Sequence, residues 1–283
     1  MTKPSTAIDY EARIGDVLAF LAAHAHEDVR PARLAKLAHF SPHHFHRIFR
    51  GVSGESVMEC VRRLRLESAA LRLRRSRATV TEVALDAGFQ SHEGFTRAFK
   101  ERFGAPPAVW RRQASARVRA LAARAPLVIP DVEVRTSPAL PFVFASHRGS
   151  FSEVSAAWQS FVALAIGEGI FAGSERLLGR YPDDPEITPP GKVRFDVGLV
   201  ARELPRKAIR GLRHELIPPA RWAIAIHRGS YSTLSETYLR LVGGWFPKHG
   251  HALADRPCLE LYLNGPDTTA EEDLETEVWA PLA

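Results

Sequence analysis

The sequence predicts a multi-domain protein in which an all-α region precedes an α+β region, and two patterns lead to that prediction. Apolar residues in the first part recur at helical spacing, whereas apolar and polar residues alternate from Pro130 onward, as they do in strands. Each part also contains a duplicated segment of its own. We therefore expect an N-terminal domain over residues 1–113, an Ala/Arg-rich linker over residues 114–126 and a C-terminal domain over residues 127–283.

The charge is divided between the two parts. The chain of 283 residues holds 38 Lys and Arg against 32 Asp and Glu, a net charge of +6. Residues 1–125 contain 22 basic and 12 acidic residues, or +10, which leaves −4 for residues 126–283. The basic part alone is therefore suited to a polyanion such as nucleic acid, the alternative being a solvated surface of Arg-rich helices.

Cysteine usage and hydropathy indicate the compartment. Cys60 and Cys258 are far apart in the sequence, which favours neither a disulfide framework nor a four-ligand zinc site. No apolar run approaches the roughly 20 residues of a membrane helix, and the N-terminus has no apolar signal-peptide segment. We expect a reduced, cytoplasmic location.

The N-terminal part predicts two helix-turn-helix units, at about residues 31–54 and 79–104. An amphipathic helix over residues 9–26 comes first, and Ser41 followed by Pro42 is typical of an N-cap and first helical position. The second unit begins with a capping box of Thr79 and Glu82. Its second helix is capped by Ser91 and ends at Gly104, and a closing helix ends near Gln113.

A longer helix over residues 56–73 joins the two units. At 1.5 Å per residue it spans roughly 27 Å, which suits a strut between helices in successive major grooves about 34 Å apart. The shared frame of the two units is a run of Phe, Ser, Phe, a basic residue and Phe: Phe40, Ser41, Phe45, Arg47 and Phe49, repeated as Phe89, Ser91, Phe95, Arg97 and Phe99.

With its ending GFQSHEGFTRAFKERFGAPP, this arrangement resembles the AraC/XylS family of transcription regulators over residues 9–113. The resemblance implies a DNA-binding domain that reads an asymmetric double-stranded site as a single chain. By position, the residues that it implies on the outer faces of the two recognition helices are His43, His44, His46 and Arg47, and His92, Glu93, Gly94, Thr96 and Arg97.

The chemistry of these side chains suits base edges. Arg47 or Arg97 can pair with guanine, Glu93 can accept from cytosine, and Thr96 can hydrogen-bond or touch a thymine methyl group. Phosphate contacts, which fix register, are expected from Arg62, Arg63, Lys100 and Arg102. His39 and His43 have a spacing that can chelate a metal, but no cysteine or carboxylate in the segment completes the shell, so no metal and no cofactor are expected.

The C-terminal part is duplicated at an offset of 80 residues. HRGSFSEVSAAWQSF from His147 matches HRGSYSTLSETYLRL from His227, which gives pseudo-repeats over about residues 127–205 and 206–283. Each repeat predicts strand, strand, helix and strand. Two such units form a concave antiparallel sheet, and the cleft between them is a natural ligand pocket.

This part resembles the GyrI-like effector-binding domain over residues 127–283, on the HRGS turns and the ending LELYLNGPDTTAEEDLETEVWAPL. The resemblance implies an aromatic-lined cleft with a buried acid, here Glu260, that binds bulky and often cationic ligands. Tyr262 shares its face of the strand, and Asp196 is expected to be its counterpart in the first repeat. Trp222 and Trp245 are expected in the core, and the walls are expected from Trp158, Tyr231, Tyr238 and Trp279.

Together these patterns favour a DNA-binding transcription regulator, without enzymatic activity, whose C-terminal cleft senses a small hydrophobic and possibly cationic molecule. Two alternatives stay open: the C-terminal domain is a small-molecule hydrolase, or it binds a partner protein. For Glu260 the alternative is an ion pair with a neighbouring arginine. RNA polymerase is a further candidate partner, and the chain is either a monomer or a homodimer.

Overall fold

The computed structural model describes residues 4–124, 131–184 and 187–283, and it divides into two compact units, residues 1–115 and 116–283. The first unit is helical. Its helices are α1 Pro4–His24, α2 Pro31–Leu37, α3 Pro42–Ser53, α4 Val57–Arg75, α5 Val80–Asp86, α6 His92–Phe103 and the first part of α7 Pro107–Arg124, which continues past residue 115. The last of these was expected to end near Gln113 but continues to Arg124, because the Ala/Arg-rich segment that follows contains no helix breaker before Pro126.

The helix limits follow from capping residues. The predicted capping box at the start of α5 is present, since Glu82 N donates to Thr79 Oγ1 and Thr79 N donates to Glu82 Oε2. A second box, of Ser56 and Glu59, starts α4. Helices α3 and α6 both end at a glycine in the left-handed conformation. Two helix-turn-helix units, α2–α3 and α5–α6, are thereby joined by α4, as predicted.

The repeated phenylalanines build the core of this unit. Phe45, Phe49, Phe95 and Phe99 have no exposed surface, and each pair packs ring against ring at 5.7 and 5.4 Å between centroids. Trp110, on α7, closes the second unit by packing edge-on against Phe99. These anchors fix each recognition helix against its own unit.

The second unit contains one eight-stranded antiparallel sheet with the strand order β1-β6-β8-β7-β3-β4-β2-β5. The strands are β1 Val132–Ser137, β2 Leu140–Gly149, β3 Arg176–Tyr181, β4 Val193–Val200, β5 Arg213–Ile217, β6 Ala220–Arg228, β7 Cys258–Tyr262 and β8 Glu275–Pro281. The duplicated unit and the antiparallel sheet are confirmed. Each repeat has one strand more than predicted, because β3 is interrupted by glycine and arginine and β8 is buried on both faces, so neither alternates.

The register shows how the two repeats are related. Strands β3 and β7 meet at the centre of the sheet and pair symmetrically about Gly179 and Glu260. The first strand of each repeat lies beside the other repeat, since β1 pairs with β6 and β5 pairs with β2. Gly179 is therefore the counterpart of Glu260, and the predicted correspondence of Asp196 with Glu260 is wrong. Asp196 corresponds to Glu277, which occupies the same register on β8.

The two faces of the sheet differ. Helix α8 (Val154–Gly167) and a second helical segment cover one face; that segment consists of α9 (Leu234–Tyr238), a π-helical stretch (Leu239–Trp245) and α10 (Phe246–Lys248). The sheet curls toward the other face. This curvature is evident from the ion pair between Arg180 on β3 and Glu215 on β5, which are separated by two intervening strands. In the parts of the chain described above, no helix is both long and apolar enough to cross a membrane.

Candidate functional sites

Helix α3 presents its predicted DNA-reading side chains to solvent. His44, His46 and Arg47 are exposed, while Phe45 between them is buried. The side chain of His43 lies outside the described part of the structure. Within that part, no group of three His, Cys, Asp or Glu side chains is placed to hold a metal.

Helix α6 presents most, but not all, of its predicted residues. His92, Glu93, Arg97 and Lys100 are exposed. Thr96 differs, because its hydroxyl oxygen is buried and has no hydrogen-bond partner among the described residues. The hydroxyl is turned away from solvent in this conformation, although the residue as a whole is half-buried. This placement does not favour a hydrogen bond from Thr96 to a base edge, and the contact of its methyl group with thymine stays a prediction.

The arginines expected to contact phosphates also differ in their exposure and partners. Arg62 is exposed and pairs with Glu101 at 2.8 Å, so it can exchange this partner for a phosphate. Arg63 is half-buried, with its guanidinium between Glu55 at 2.8 Å and Glu67 at 3.0 Å, and this placement does not suit a phosphate contact. Its role is to neutralise two buried carboxylates, which would otherwise be costly. Arg102 lies over the Phe103 ring and faces Glu67 at 3.6 Å.

In the sheet unit, Glu260 is a buried carboxylate surrounded by phenols. The residue is 5% exposed. The Tyr238 hydroxyl donates to Oε1 at 3.0 Å and the Tyr262 hydroxyl donates to Oε2 at 2.8 Å. Tyr181 joins them through a hydroxyl–hydroxyl contact of 2.8 Å with Tyr262. Among the described residues Glu260 has no basic partner, which contradicts the alternative of an arginine ion pair.

This environment sets the protonation of the site. Burial raises the pKa of Glu260 to about 7, although hydrogen bonds from the three tyrosines pull the pKa down. Burial, and next the nearby Glu260 charge, raise the pKa values of Tyr181, Tyr238 and Tyr262, so these groups stay protonated donors. Desolvation therefore dominates, and the carboxyl group titrates near neutral pH.

Aromatic rings complete the surroundings of Glu260. Trp158 packs edge-on against Tyr262 with centroids 5.1 Å apart, and Tyr231 packs against the same ring at 5.5 Å. Trp158 comes from α8, and Tyr231 and Tyr238 come from the HRGS turn and helix of the second repeat. Five of the six predicted ligand residues are thus brought together. Their assignment to a ligand remains a prediction.

Tyr181 was missed by the sequence analysis. It lies two residues after Gly179, just as Tyr262 lies two residues after Glu260. Once β3 is aligned with β7, this match identifies it. A side chain at Gly179 would place its Cβ 2.7 Å from the Tyr181 ring, so glycine here makes room for the tyrosine beside the carboxylate.

Trp279 is not part of the site, contrary to the prediction. It pairs with Leu259, whose side chain points away from Glu260, because neighbouring residues of a strand face opposite sides. Its indole nitrogen donates to Glu277 at 2.7 Å and its ring packs on Trp222. The expected core positions of Trp222 and Trp245 are confirmed, since both are buried.

Asp196 also lies on the face away from Glu260. It accepts hydrogen bonds from Arg180 Nε at 2.7 Å and from Ser146 Oγ at 2.7 Å. Arg180 in turn lies over the rings of Phe142 and Phe144. Asp196 is therefore neutralised inside the curled sheet and is not a second ligand-binding acid.

Two family models match the chain. The GyrI-like small molecule binding domain matches residues 130–283, and a helix-turn-helix domain matches residues 34–113. Among curated proteins, the probable transcriptional regulator YgiV of Escherichia coli K12 is 28% identical over 155 residues, which cover 54% of this chain and 96% of YgiV. Transcriptional regulator Rob of Salmonella typhimurium is 32% identical over 127 residues, or 45% of this chain and 43% of Rob.

Two solved structures each align with one part of the chain. The C-terminal domain of EcmrR aligns with 55% of this chain and 99% of its own length, at 15% identity and a TM-score of 0.47. The DNA-binding domain of AdpA, solved with a target DNA, aligns with 40% of this chain and 96% of its own length, at 30% identity and a TM-score of 0.33. Because the first family model covers more than half of the sequence, the chain belongs to the GyrI-like small molecule binding family, here joined to an AraC-type helix-turn-helix domain in a DNA-binding transcriptional regulator.

Proposed function

We propose that the Glu260 site binds a small hydrophobic cation and that this ligand controls transcription through the helical unit. The supporting observation is a buried carboxylate whose hydrogen-bond partners, among the residues that the structure describes, are all phenols. An ionised carboxylate without a cation is costly in such a place. A ligand cation would supply the missing charge, and the rings of Trp158, Tyr231 and Tyr262 would add cation–π attraction.

The protonation of Glu260 makes the proposed binding sensitive to the charge of the ligand. With a pKa of about 7, the carboxyl group is partly protonated at neutral pH. A cation binds the ionised form better, so it lowers this pKa and releases a proton. A neutral ligand of the same shape gains nothing from ionisation. The ligand can shift the regulator only if it binds one conformation of the protein better than another.

Calorimetric titration of the full chain with benzyltrimethylammonium, and with its uncharged isostere neopentylbenzene, tests the proposal. At pH 8 we expect Glu260→Gln to weaken binding of the cation at least about tenfold, a loss of roughly 1.4 kcal/mol or more. The neutral compound should change less than about twofold. Glu277→Gln is the matched control, because that glutamate is buried on the next strand with its side chain on the other face. Equal losses for both compounds would refute a charge role for Glu260.

For the helical unit, we propose that α3 and α6 enter neighbouring major grooves. Base contacts would come from Arg47, Arg97, Glu93 and the exposed histidines, and phosphate contacts from Arg62 and Lys100. Exposure of these side chains and the net charge of this part of the chain support the proposal. RNA polymerase is a proposed further partner, and the proposed binding to chromosomal DNA favours a cytoplasmic location.

A further inference from the structure

Arg65, in the middle of α4, links the loop before the first helix-turn-helix unit to the turn of the second. Its guanidinium donates to three backbone carbonyl groups: Nε to Ala25 O at 2.6 Å, Nη2 to Glu27 O at 2.9 Å and Nη1 to Gly88 O at 3.0 Å. Ala25 and Glu27 belong to the loop between α1 and α2, and Gly88 belongs to the turn between α5 and α6. One side chain therefore ties the approach to the first unit to the turn of the second.

The contact depends on a glycine at position 88. Gly88 has a φ of +76°, and a Cβ there would lie 2.7 Å from His26 O and 3.0 Å from Arg65 Cζ. The equivalent turn residue in the first unit is His39, which also has a positive φ, of 54°, but is exposed. The left-handed turn alone thus tolerates a side chain, and it is the close packing around Arg65 that requires glycine.

We propose that Arg65 and Gly88 form a clamp that fixes the separation and orientation of α3 and α6, and with it the spacing between the two half-sites that one chain reads. This inference rests on the proposed contact of both helices with DNA. A guanidinium suits the role because its planar donors are held in one rigid fork.

Other contacts between α4 and α6 do not replace the clamp. Arg62 and Glu101 form an exposed pair, which is worth little in water, and Arg102 is 3.6 Å from Glu67. Both hold the C-terminal part of α6 to α4. These two contacts join α6 to α4, whereas the contacts of Arg65 also include the loop before α2.

The test is a measurement of spacing preference. The full-length wild-type protein first selects its site from a random duplex library, and binding is then measured to duplexes with one base pair inserted or removed between the half-sites. One base pair moves the second groove by about 3.4 Å and about 35°. We expect the wild type to lose roughly tenfold or more in affinity, similar to a mismatched base pair. We call the affinity for the selected duplex divided by that for the altered duplex the spacing ratio. For Arg65→Ala this ratio should fall to about twofold.

Two further variants keep the test decisive. Arg13→Ala is the matched control, because Arg13 donates to the carbonyl of His39, the residue of the first unit that corresponds to Gly88, and its spacing ratio should equal that of the wild type. Gly88→Ala disturbs the clamp from the other side, so its spacing ratio should match that of Arg65→Ala. If circular dichroism shows that either variant is unfolded, Arg65→Lys takes its place, and its spacing ratio should lie between those of Arg65→Ala and the wild type. A wild-type ratio in folded Arg65 and Gly88 variants would overturn the clamp. Failure of the wild type to select any DNA would instead overturn the proposed DNA contacts.

Discussion

The buried state of Glu260 predicts a specific dependence of stability on pH. The pKa of this carboxyl group is about 7 in the folded protein, against a reference value of 4.5. Below pH 4.5 the group is protonated in both the folded and the unfolded chain and contributes no difference. Between pH 4.5 and 7 the unfolded chain releases its proton first, so the free energy of unfolding falls as pH rises. Above about pH 7 the group is ionised in both states, and its titration lowers the free energy of unfolding no further.

The size of the loss follows from the shift in pKa. At about 1.4 kcal/mol for each pH unit, a shift from 4.5 to about 7 corresponds to roughly 3 kcal/mol. That is a substantial part of the 5–15 kcal/mol that typically stabilises a domain. Glutamine in place of Glu260 cannot ionise, and it keeps an oxygen that accepts from one tyrosine. The loss specific to this position should therefore vanish in Glu260→Gln.

Urea unfolding at pH 5, 6, 7 and 8, followed by tryptophan fluorescence, measures the effect. Four of the five tryptophans lie in the sheet unit, so the signal reports mainly on its unfolding. We expect wild type and Glu260→Gln to differ by about 1 kcal/mol or less at pH 5 and to diverge by roughly 3 kcal/mol in favour of the variant by pH 8. Saturating benzyltrimethylammonium should reduce the gap by stabilising the ionised wild type. If the free energies of unfolding of the wild type and Glu260→Gln changed in parallel with pH, Glu260 would not be a buried carboxyl group that titrates near neutrality.

Three further predictions concern single residues of the two sites. Gly179→Ala places a Cβ against the Tyr181 ring, so it should displace this tyrosine and weaken binding of benzyltrimethylammonium by several-fold; a crystal structure of the variant with Tyr181 unmoved would contradict the reason. Thr96→Val removes a buried hydroxyl that has no partner among the described residues, so it should leave DNA affinity unchanged and stability equal or higher. In contrast, Arg97→Ala should cost about 1–3 kcal/mol at one base pair of the selected site. Equal losses of DNA affinity in the Thr96 and Arg97 variants would mean that Thr96 faces DNA.

The helical unit could be predicted closely because its sequence determines the structure locally. Caps such as Thr79 with Glu82 start helices, glycines end them, and phenylalanines at helical spacing show which face is buried. What sequence could not show is where long basic side chains go. Arg62, Arg63 and Arg65 look alike in a run of arginines, yet one is exposed, one neutralises buried glutamates and one binds three carbonyl groups.

The sheet unit was harder to predict because a strand must be placed before its faces can be assigned. Missing β8 left Trp279 without a register, and its aromatic ring alone suggested a ligand wall. Pairing with Leu259 puts the ring on the other face. Missing β3 likewise hid Tyr181 and led to the wrong partner for Glu260. The aromatics on helices or turns, Trp158, Tyr231 and Tyr238, were located through the duplicated HRGS segments and did reach the site.

Duplication itself explains why the site contains a single acid. The symmetry of the β3–β7 pair brings equivalent positions face to face at Gly179 and Glu260, where paired Cα atoms of antiparallel strands lie only about 4.5–5.5 Å apart. Two glutamates there would repel each other in a poorly solvated place, and one of them would remain protonated. Glycine at one position removes this conflict and leaves space for the Tyr181 ring. The two repeats therefore supply similar tyrosines to one carboxyl group, and a duplicated fold acquires one asymmetric acidic site.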